Sequence, residues 1–301
     1  MRFWALLALA LPVFAGVTPG RRASPDVEAL RSLLALGRLE NAVFDQGLSR
    51  FAQVDFVNDG LPPFTRGRFA QILKHVEIHI AFLRQAITDS GSPIVQPCSY
   101  TLPSEDPQSL IRTSVEIETI LASAYNGAMG LVEDNTYRVI LASILGTISR
   151  QAGWLNSAVL KESPWNTAFD VPLNLRQAWT AVQRYISSCP PENATLFPNG
   201  SLDPFTQLNI VGPLIPGSTG LLTFNEMESS DGPLYVVFMT GIGEIRTRLR
   251  PDGSFDVPQD VADRGAVYVV VISKEASITD ENTIAGPTLA NFNSNSFDAS
   301  Y

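Results

Sequence analysis

The spacing of apolar residues divides the chain into a helical part and a strand-rich part. Up to about residue 190, apolar positions recur every three or four residues, which is the period of an amphipathic helix. From residue 205 onward the period changes to two, and turn signals such as Pro251-Asp252-Gly253 separate short apolar runs. We therefore predict an α+β multidomain protein, in which a bundle of helices precedes a small antiparallel β-sandwich.

The helical period predicts four long helices and a short fifth one. They cover about residues 25–49, 66–86, 107–130, 135–160 and 174–188. The domain boundaries that we predict are 1–22 for a signal peptide and short pro-segment, 25–190 for the helical bundle, 191–204 for a glycosylated linker, 205–290 for the β-sandwich and 291–301 for a flexible tail.

The N-terminal segment predicts export from the cell. Arg2 is followed by a short apolar run and by small residues up to Ala15, where we expect signal peptidase to cleave. The pair Arg21-Arg22 is either a dibasic processing site or a solvated pair in a flexible tail. The apolar run is too short to span a bilayer, so it predicts a signal peptide and not an anchor.

The cysteines and two sequons also indicate a secreted protein. Cys98 and Cys189 each follow a predicted helix end, and we expect them to form a disulfide bond. Asn193 and Asn199 begin N-x-S/T sequons in a stretch rich in Pro, Asn and Gly. An exposed linker that carries N-linked glycans accounts for that composition.

Composition limits the classes of partner and chemistry. Of the 301 residues, 45% are hydrophobic and 17% are charged, which is typical of a packed globular protein. The net charge is −9 and no run of Lys and Arg occurs, so we expect no nucleic-acid partner. No later segment is apolar enough to span a membrane. The sequence also lacks a GxSxG motif, a Gly-rich phosphate loop and a CxxC motif.

Each long helix places one polar residue on its apolar face. In chain order these residues are Glu40, His79, Glu118 and Gln151. His75 lies one turn before His79, at the edge of the same apolar stripe. Because a buried charge must be paired, hydrogen-bonded or bound to a metal, four inward polar residues predict a polar centre in the bundle.

Four helical segments carry a resemblance to a known family: RLENAVFDQGL, KHVEIHIAFL, ETILASAYNGAMG and ASILGTISRQAGWL. With them, the chain resembles the secreted fungal ferritin-like family that includes late-sexual-development and stress-response proteins and is related to desiccation-related proteins. The sequences around Cys98 and Cys189 and the terminal β domain fit as well, and the resemblance covers roughly Leu30 to Gly286. It implies a ferritin-like four-helix bundle, whose di-iron layout takes a Glu from each of two helices and a Glu-x-x-His from each of the other two.

The metal site that the resemblance implies is eroded in this sequence. His79 and Glu118 match the second-helix His and the third-helix Glu. Val76 stands where the second-helix Glu is expected. In the fourth helix, Ile148 replaces the expected Glu and Gln151 replaces the expected His.

The first-helix ligand depends on the alignment register. One register places Glu40 at the ligand position and the other places Gly37 there. At most two carboxylates and one imidazole remain, whereas a di-iron centre needs about six protein ligands. We therefore expect no ferroxidase or oxygen-activating chemistry and no bound cofactor.

Three interpretations of the inward residues stay open. In the first, they form a hydrogen-bonded network without metal, in which Gln151 donates to Glu118. His79 then pairs with Glu40 or with Glu118. In the second, His79, Glu118 and Glu40 hold a single weakly bound divalent ion. His75 would assist in holding it. In the third, the former metal cavity binds a small molecule or supports acid–base chemistry.

The functions implied fall into different classes. The resemblance implies a secreted or cell-wall-associated protein with a degenerate, metal-free di-iron site, acting in stress or developmental physiology at the cell surface. The alternative is a metal-independent enzyme of the isomerase or cyclase type, which uses the former metal cavity on a small hydrophobic metabolite. A third class is a binding module, whose β domain contacts cell-wall polysaccharide or another secreted protein.

Overall fold

The computed structural model describes residues 24–103, 105–197, 202–225 and 232–294. The expected signal peptide and pro-segment at 1–22, the sequon at Asn199 and residues 295–301 of the expected tail lie outside the described residues. Helices fill the N-terminal part and antiparallel sheets fill the C-terminal part, which confirms the α+β class. No described helix is long and apolar enough to cross a membrane.

Three of the four long helices begin at residues that satisfy a first free N–H group. Ser24 accepts a hydrogen bond from the backbone N–H of Val27, and Pro25 occupies the first helical position. Asp106 and Asp134 accept in the same way at the starts of two later helices. The helices are α1 (Pro25–Arg50), α2 (Gln53–Asn58), α3 (Thr65–Asp89), α4 (Pro107–Ala128), α5 (Asn135–Trp154) with a π-helix (Leu155–Leu160) continuing it, and α6 (Leu175–Ala181).

The four long helices form a bundle that is less closed on one side. α1 packs against α3 and α4, and α4 packs against α5. Their apolar faces meet in one hydrophobic core, whose buried members include Leu33, Phe44, Phe69 and Leu121. The backbones of α3 and α5 stay apart along most of their length. Consequently α1 and α4 are buried on most of their surface, whereas α3 and α5 bury only a narrow stripe.

The predicted fifth helix is shorter than its apolar period indicates. α6 ends at Ala181, and the chain continues through a 3-10 turn into strand β2 (Ile186–Ser188). β2 pairs antiparallel with strand β1 (Ser99–Tyr100) in the long crossover between α3 and α4. Cys98 and Cys189 form the expected disulfide beside this pair. Strand pairing and the disulfide hold the segment extended, and they override its helical period.

The segment expected to be an exposed linker is partly packed against the bundle. A 3-10 helix spans Pro191–Leu196, and Asn193 within it is only 2% exposed. Its side-chain nitrogen donates to the Gln96 carbonyl at 2.8 Å, and its side-chain oxygen accepts from the Gln96 N–H at 2.7 Å. Buried Arg31 donates to the carbonyls of Pro93 and Leu196, which binds the crossover and the 3-10 helix to α1. The expectation of an exposed linker at Asn193 is therefore wrong. The Asn193 side chain is buried because both polar atoms of its amide bond to the backbone of Gln96.

The C-terminal part is a sandwich of a three-stranded sheet and a four-stranded sheet. Their strand orders are β3-β4-β7 and β6-β5-β8-β9, and all neighbouring strands are antiparallel. The core between the sheets contains Leu222, Phe238, Phe255 and Val269. The strands are β3 (Asn209–Ile210), β4 (Thr219–Thr223), β5 (Leu234–Thr240), β6 (Gly243–Leu249), β7 (Ser254–Asp256), β8 (Gly265–Ile272) and β9 (Thr283–Phe292).

The four-stranded sheet lies between the three-stranded sheet and the helices. Every residue of β8 is buried, because alternate side chains face two different apolar layers. Val267 and Val269 face the sandwich core, whereas Tyr268 belongs to the core of the helical region. β9 also extends to Phe292, so the expected tail boundary at residue 291 is two residues too early.

Candidate functional site

Glu40 and Glu118 meet at the centre of the bundle. Helical spacing places Glu40 on the same face of α1 as Leu36 and Phe44, and that face packs against α4. Glu40 is 2% exposed and Glu118 is completely buried. The structure therefore confirms that Glu40 faces inward, while Gly37, one turn earlier, lies against Ile80.

Burial makes these two carboxyl groups weak acids. Loss of solvent raises the pKa of Glu40 to about 8, and burial together with the nearby charge of Glu40 raises the pKa of Glu118 well above its ordinary value. The two groups are close enough to influence each other's pKa, yet no described group donates a hydrogen bond to Oε1 of Glu40 or to either oxygen of Glu118. Two ionised carboxylates could only accept, so they could not satisfy each other. A proton held between the two groups satisfies the pair.

A tyrosine closes this centre on the α4 side. Tyr125 is 1% exposed and lies two turns after Glu118 on the same face of α4. Burial raises the pKa of Tyr125, and the nearby charge of Glu40 raises it further. Tyr125 therefore remains a neutral phenol.

The imidazole and amide groups lie on the α3–α5 side, with partners other than those expected. Gln151 and the exposed His75 approach each other across the gap, with 3.0 Å between Nε2 and Nδ1. This contact replaces the expected donation from Gln151 to Glu118. Nδ1 of the half-buried His79 is buried without a hydrogen-bond partner, so the expected pairing of this nitrogen with Glu40 or Glu118 is not formed.

His79 is held in its neutral form. Burial, together with the neighbouring charge of His75, lowers the pKa of His79 to about 4. At neutral pH His79 is therefore an uncharged imidazole. A neutral imidazole cannot compensate the charge of an ionised Glu40 or Glu118, which is a further reason for the pair to keep its proton.

The residues present do not fit a di-iron centre. Val76 and Ile148, at two positions where the sequence resemblance implies carboxylate ligands, are completely buried. Their side chains end in methyl groups, which cannot coordinate a metal ion. Among the residues that the structure describes, no group of three or more His, Cys, Asp or Glu side chains is arranged to hold a metal ion. Of the predicted carboxylate ligands, Glu40 and Glu118 lie close enough to influence each other's pKa or to share a proton.

A second feature is a polar cleft that local sequence patterns do not indicate. It has a volume of about 390 Å³ and lies between the helices and the four-stranded sheet. Its walls come from α4, from α5 with its π-helix, from residues 161–174, which we call the bridging loop, and from β8 and β9. Its residues lie far apart in the chain, so no motif or period marks them.

Comparison with known proteins identifies the helical region. The family model described as Ferritin-like domain matches residues 25–161. This span runs from the first residue of α1 to the residue after the π-helix. The helical region therefore carries a ferritin-like domain, and the match supports the ferritin-like part of the expected resemblance. No curated protein matches the chain.

Proposed function

We propose that this is a secreted ferritin-like protein whose former metal centre holds a proton instead of metal. It acts in stress or developmental physiology at the cell surface, with the bundle centre serving as a structural core. The observation that carries the proposal is the close pair Glu40 and Glu118, buried in the same bundle as the completely buried Val76 and Ile148. Such a pair is stable without metal only when it is protonated.

Two features of the chain support secretion. The disulfide between Cys98 and Cys189 requires an oxidising compartment in most organisms. The sequence of residues 1–22 has the order of a signal peptide followed by a dibasic site. The surface role in stress or development rests on the resemblance to the fungal family and not on the geometry of the site.

A metal-independent enzyme of the isomerase or cyclase type is the second candidate. One observation favours it: the bundle holds both a buried carboxyl group with a pKa of about 8 and a neutral imidazole whose Nδ1 is buried without a hydrogen-bond partner. Acid–base catalysis also needs access for a substrate. The cleft does not provide it, because none of Glu40, His79 and Glu118 lines that cleft. We therefore place this function second.

Metal content tests the proposal. Wild type, Glu118→Gln and a variant with the lost ligands restored (Val76→Glu, Ile148→Glu and Gln151→His) are secreted in medium that contains iron, manganese and zinc. We expect wild type and Glu118→Gln to carry far less than one ion per chain. The restored variant should gain metal, because it regains the carboxylates and the imidazole of the ferritin-like layout.

The comparison between wild type and Glu118→Gln stands even when the restored variant fails to fold. Near-stoichiometric metal in wild type that disappears in Glu118→Gln would refute the proposal, because it would show that Glu118 is a ligand. Substoichiometric metal that is equal in both proteins supports it, because such metal does not depend on the bundle centre.

A further inference from the structure

The cleft between the helices and the sheet has the dimensions and walls of a ligand site. Its volume of about 390 Å³ lies within the range of small-molecule sites, about 300–1,000 Å³. Such sites often form where two structural units meet. The carboxyl pair of the bundle centre does not line this cleft, so the cleft is a separate feature of the molecule.

The charged groups of the cleft are already paired with protein. Arg112 and Glu162 form an ion pair at 3.2 Å, and Glu116 pairs with Arg184. Asp170 accepts a hydrogen bond from Asn166 at 2.8 Å. The ion pairs compensate Arg112, Glu162 and Glu116, and the remaining charge in the cleft, the hydrogen-bonded carboxylate of Asp170, disfavours an anionic ligand.

The groups that remain available in the cleft are neutral. Ser149 on α5, Asn156 on the π-helix and Asn291 on β9 line it, and the described part of the chain supplies no hydrogen-bond partner to their side chains. A hydroxyl group and two amides offer both donors and acceptors. They converge from three elements, and one of them lies on a π-helix, a conformation that is frequent at functional sites. This set matches a neutral ligand with several hydroxyl groups.

An aromatic side chain stands at the edge of the cleft on a fixed loop. Trp165, in the bridging loop, is 72% exposed and lines the cleft. The loop is held against the sheet, because Asn166 accepts a hydrogen bond from the Ala266 N–H at 2.7 Å. Gly265 has a φ of +65°, a conformation that favours glycine. A Cβ atom at this position would lie only 2.6 Å from Asn166 Cα, because the loop packs directly on the backbone of the sheet. The exposed indole is therefore presented by a loop whose position is defined.

We propose that this cleft binds a neutral saccharide. One sugar ring packs its C–H face against the indole of Trp165, and its hydroxyl groups bond to the side chains of Asn156, Asn291 and Ser149. An aromatic ring with neutral amides supplies the apolar face and the directional polar contacts that a sugar requires. The proposal does not depend on the protonation of Glu40 and Glu118. The saccharide is either free in solution or the end of a polysaccharide chain.

Titration calorimetry with trisaccharides of glucose, mannose and N-acetylglucosamine tests this inference. We expect wild type to bind at least one of them, and Trp165→Ala and Asn156→Ala each to weaken that binding by about tenfold or more. Phe64→Ala and Asn58→Ala are matched controls, because both residues are exposed and neither lines the cleft. The controls should bind as wild type does.

Sedimentation with insoluble polymers of the same sugars separates the two sources. Wild type that sediments with the polymer of the sugar it binds identifies a polysaccharide, and binding of the trisaccharide alone identifies a free sugar. The inference is wrong if wild type binds none of the trisaccharides at millimolar concentrations. It is also wrong if folded Trp165→Ala and Asn156→Ala bind as tightly as wild type.

Discussion

At the scale of single residues, Asn193 shows how a sequence motif and a structural role can compete. The N-x-T pattern predicts an exposed glycosylated side chain, but both polar atoms of the Asn193 amide bond to the backbone of Gln96. N-glycosylation attaches the glycan to Nδ2 of the asparagine, so this nitrogen must be exposed to solvent. The motif alone could not reveal this, because the partner lies 97 residues earlier in the chain.

Two variants that remove the same sequon distinguish these roles. Thr195→Ala destroys the motif and leaves the Asn193 amide in place, whereas Asn193→Ala also removes the amide. We expect Asn193→Ala to lower the free energy of unfolding by about 1–3 kcal/mol, because it leaves the backbone groups of Gln96 unpaired. Thr195→Ala should change it by less than about 1 kcal/mol, because its hydroxyl makes one exposed bond. Equal loss in both variants, measured by denaturant unfolding, would contradict this account.

The same distinction applies to the residues at the bundle centre. Helical period predicts that Glu40 and Glu118 face inward, because facing the core depends only on spacing along one helix. It does not predict that Gln151 contacts His75 and not Glu118. That choice depends on the distance between α3 and α5, which no local pattern specifies.

At the scale of elements, the four long helices are predictable and the segments between them are less so. The apolar period locates α1, α3, α4 and α5 to within a few residues. The same pattern does not locate the end of α6 or the short strand β2. β2 forms only because it pairs with β1 and lies beside the disulfide. The bridging loop similarly takes its position from contacts with both neighbouring units.

A pair of helical glycines tests the contact between α4 and the bridging loop. The Leu173 N–H bonds to the Ser123 carbonyl at 3.0 Å, and a Cβ atom at Gly127 would collide with the Leu173 carbonyl. Gly127→Ala should therefore lower the free energy of unfolding by about 1–3 kcal/mol. Gly67→Ala on α3 is the control, because a Cβ atom there meets nothing within 4 Å.

Gly67→Ala should raise the free energy of unfolding by about 0.5–1 kcal/mol, since Ala favours the helix. Urea unfolding of both variants beside wild type measures the difference. Stability changes of the same sign in the two variants would show that the bridging loop does not lie tightly on α4.

At the scale of the whole molecule, one hydrogen bond between the two parts is deeply buried. Tyr268 on β8 is 1% exposed, and its hydroxyl donates to Ser123 Oγ on α4 at 2.9 Å. The apolar run of β8 predicts a buried strand, but it does not reveal that one face packs on the helices. That information lies in the packing of the two parts and not in the period of the strand.

Removing that hydroxyl tests the contact between the two parts. Tyr268→Phe should lower the free energy of unfolding by about 1–2 kcal/mol, because it leaves Ser123 without its buried partner. Tyr235→Phe is the control: Tyr235 is half-buried on β5, and the described structure gives its hydroxyl no hydrogen bond. A Tyr268→Phe protein as stable as the Tyr235→Phe control in denaturant unfolding would contradict the assigned contact.

The pH dependence of stability tests the central claim, a protonated carboxyl pair in place of a metal. Its pKa is raised on folding, so the pair stabilises the protein fully below pH 4.5, and this contribution is lost as pH rises through about 8. His79 acts oppositely, because its lowered pKa makes stability rise with pH from about 4 to 6.5. The effect of the pair is therefore isolated between pH 6.5 and 8.

The first measurement is the free energy of unfolding across that interval for wild type and for the double variant Glu40→Gln with Glu118→Gln. We predict that wild type loses stability relative to the double variant, by about 1.4 kcal/mol per pH unit for each proton that folding retains. Metal ligands bind as ionised carboxylates, and glutamates of the unfolded chain are ionised over this interval as well, so a metal-bound pair would leave wild-type stability independent of pH relative to the double variant. Wild-type stability that rises or stays constant relative to the double variant would contradict the account.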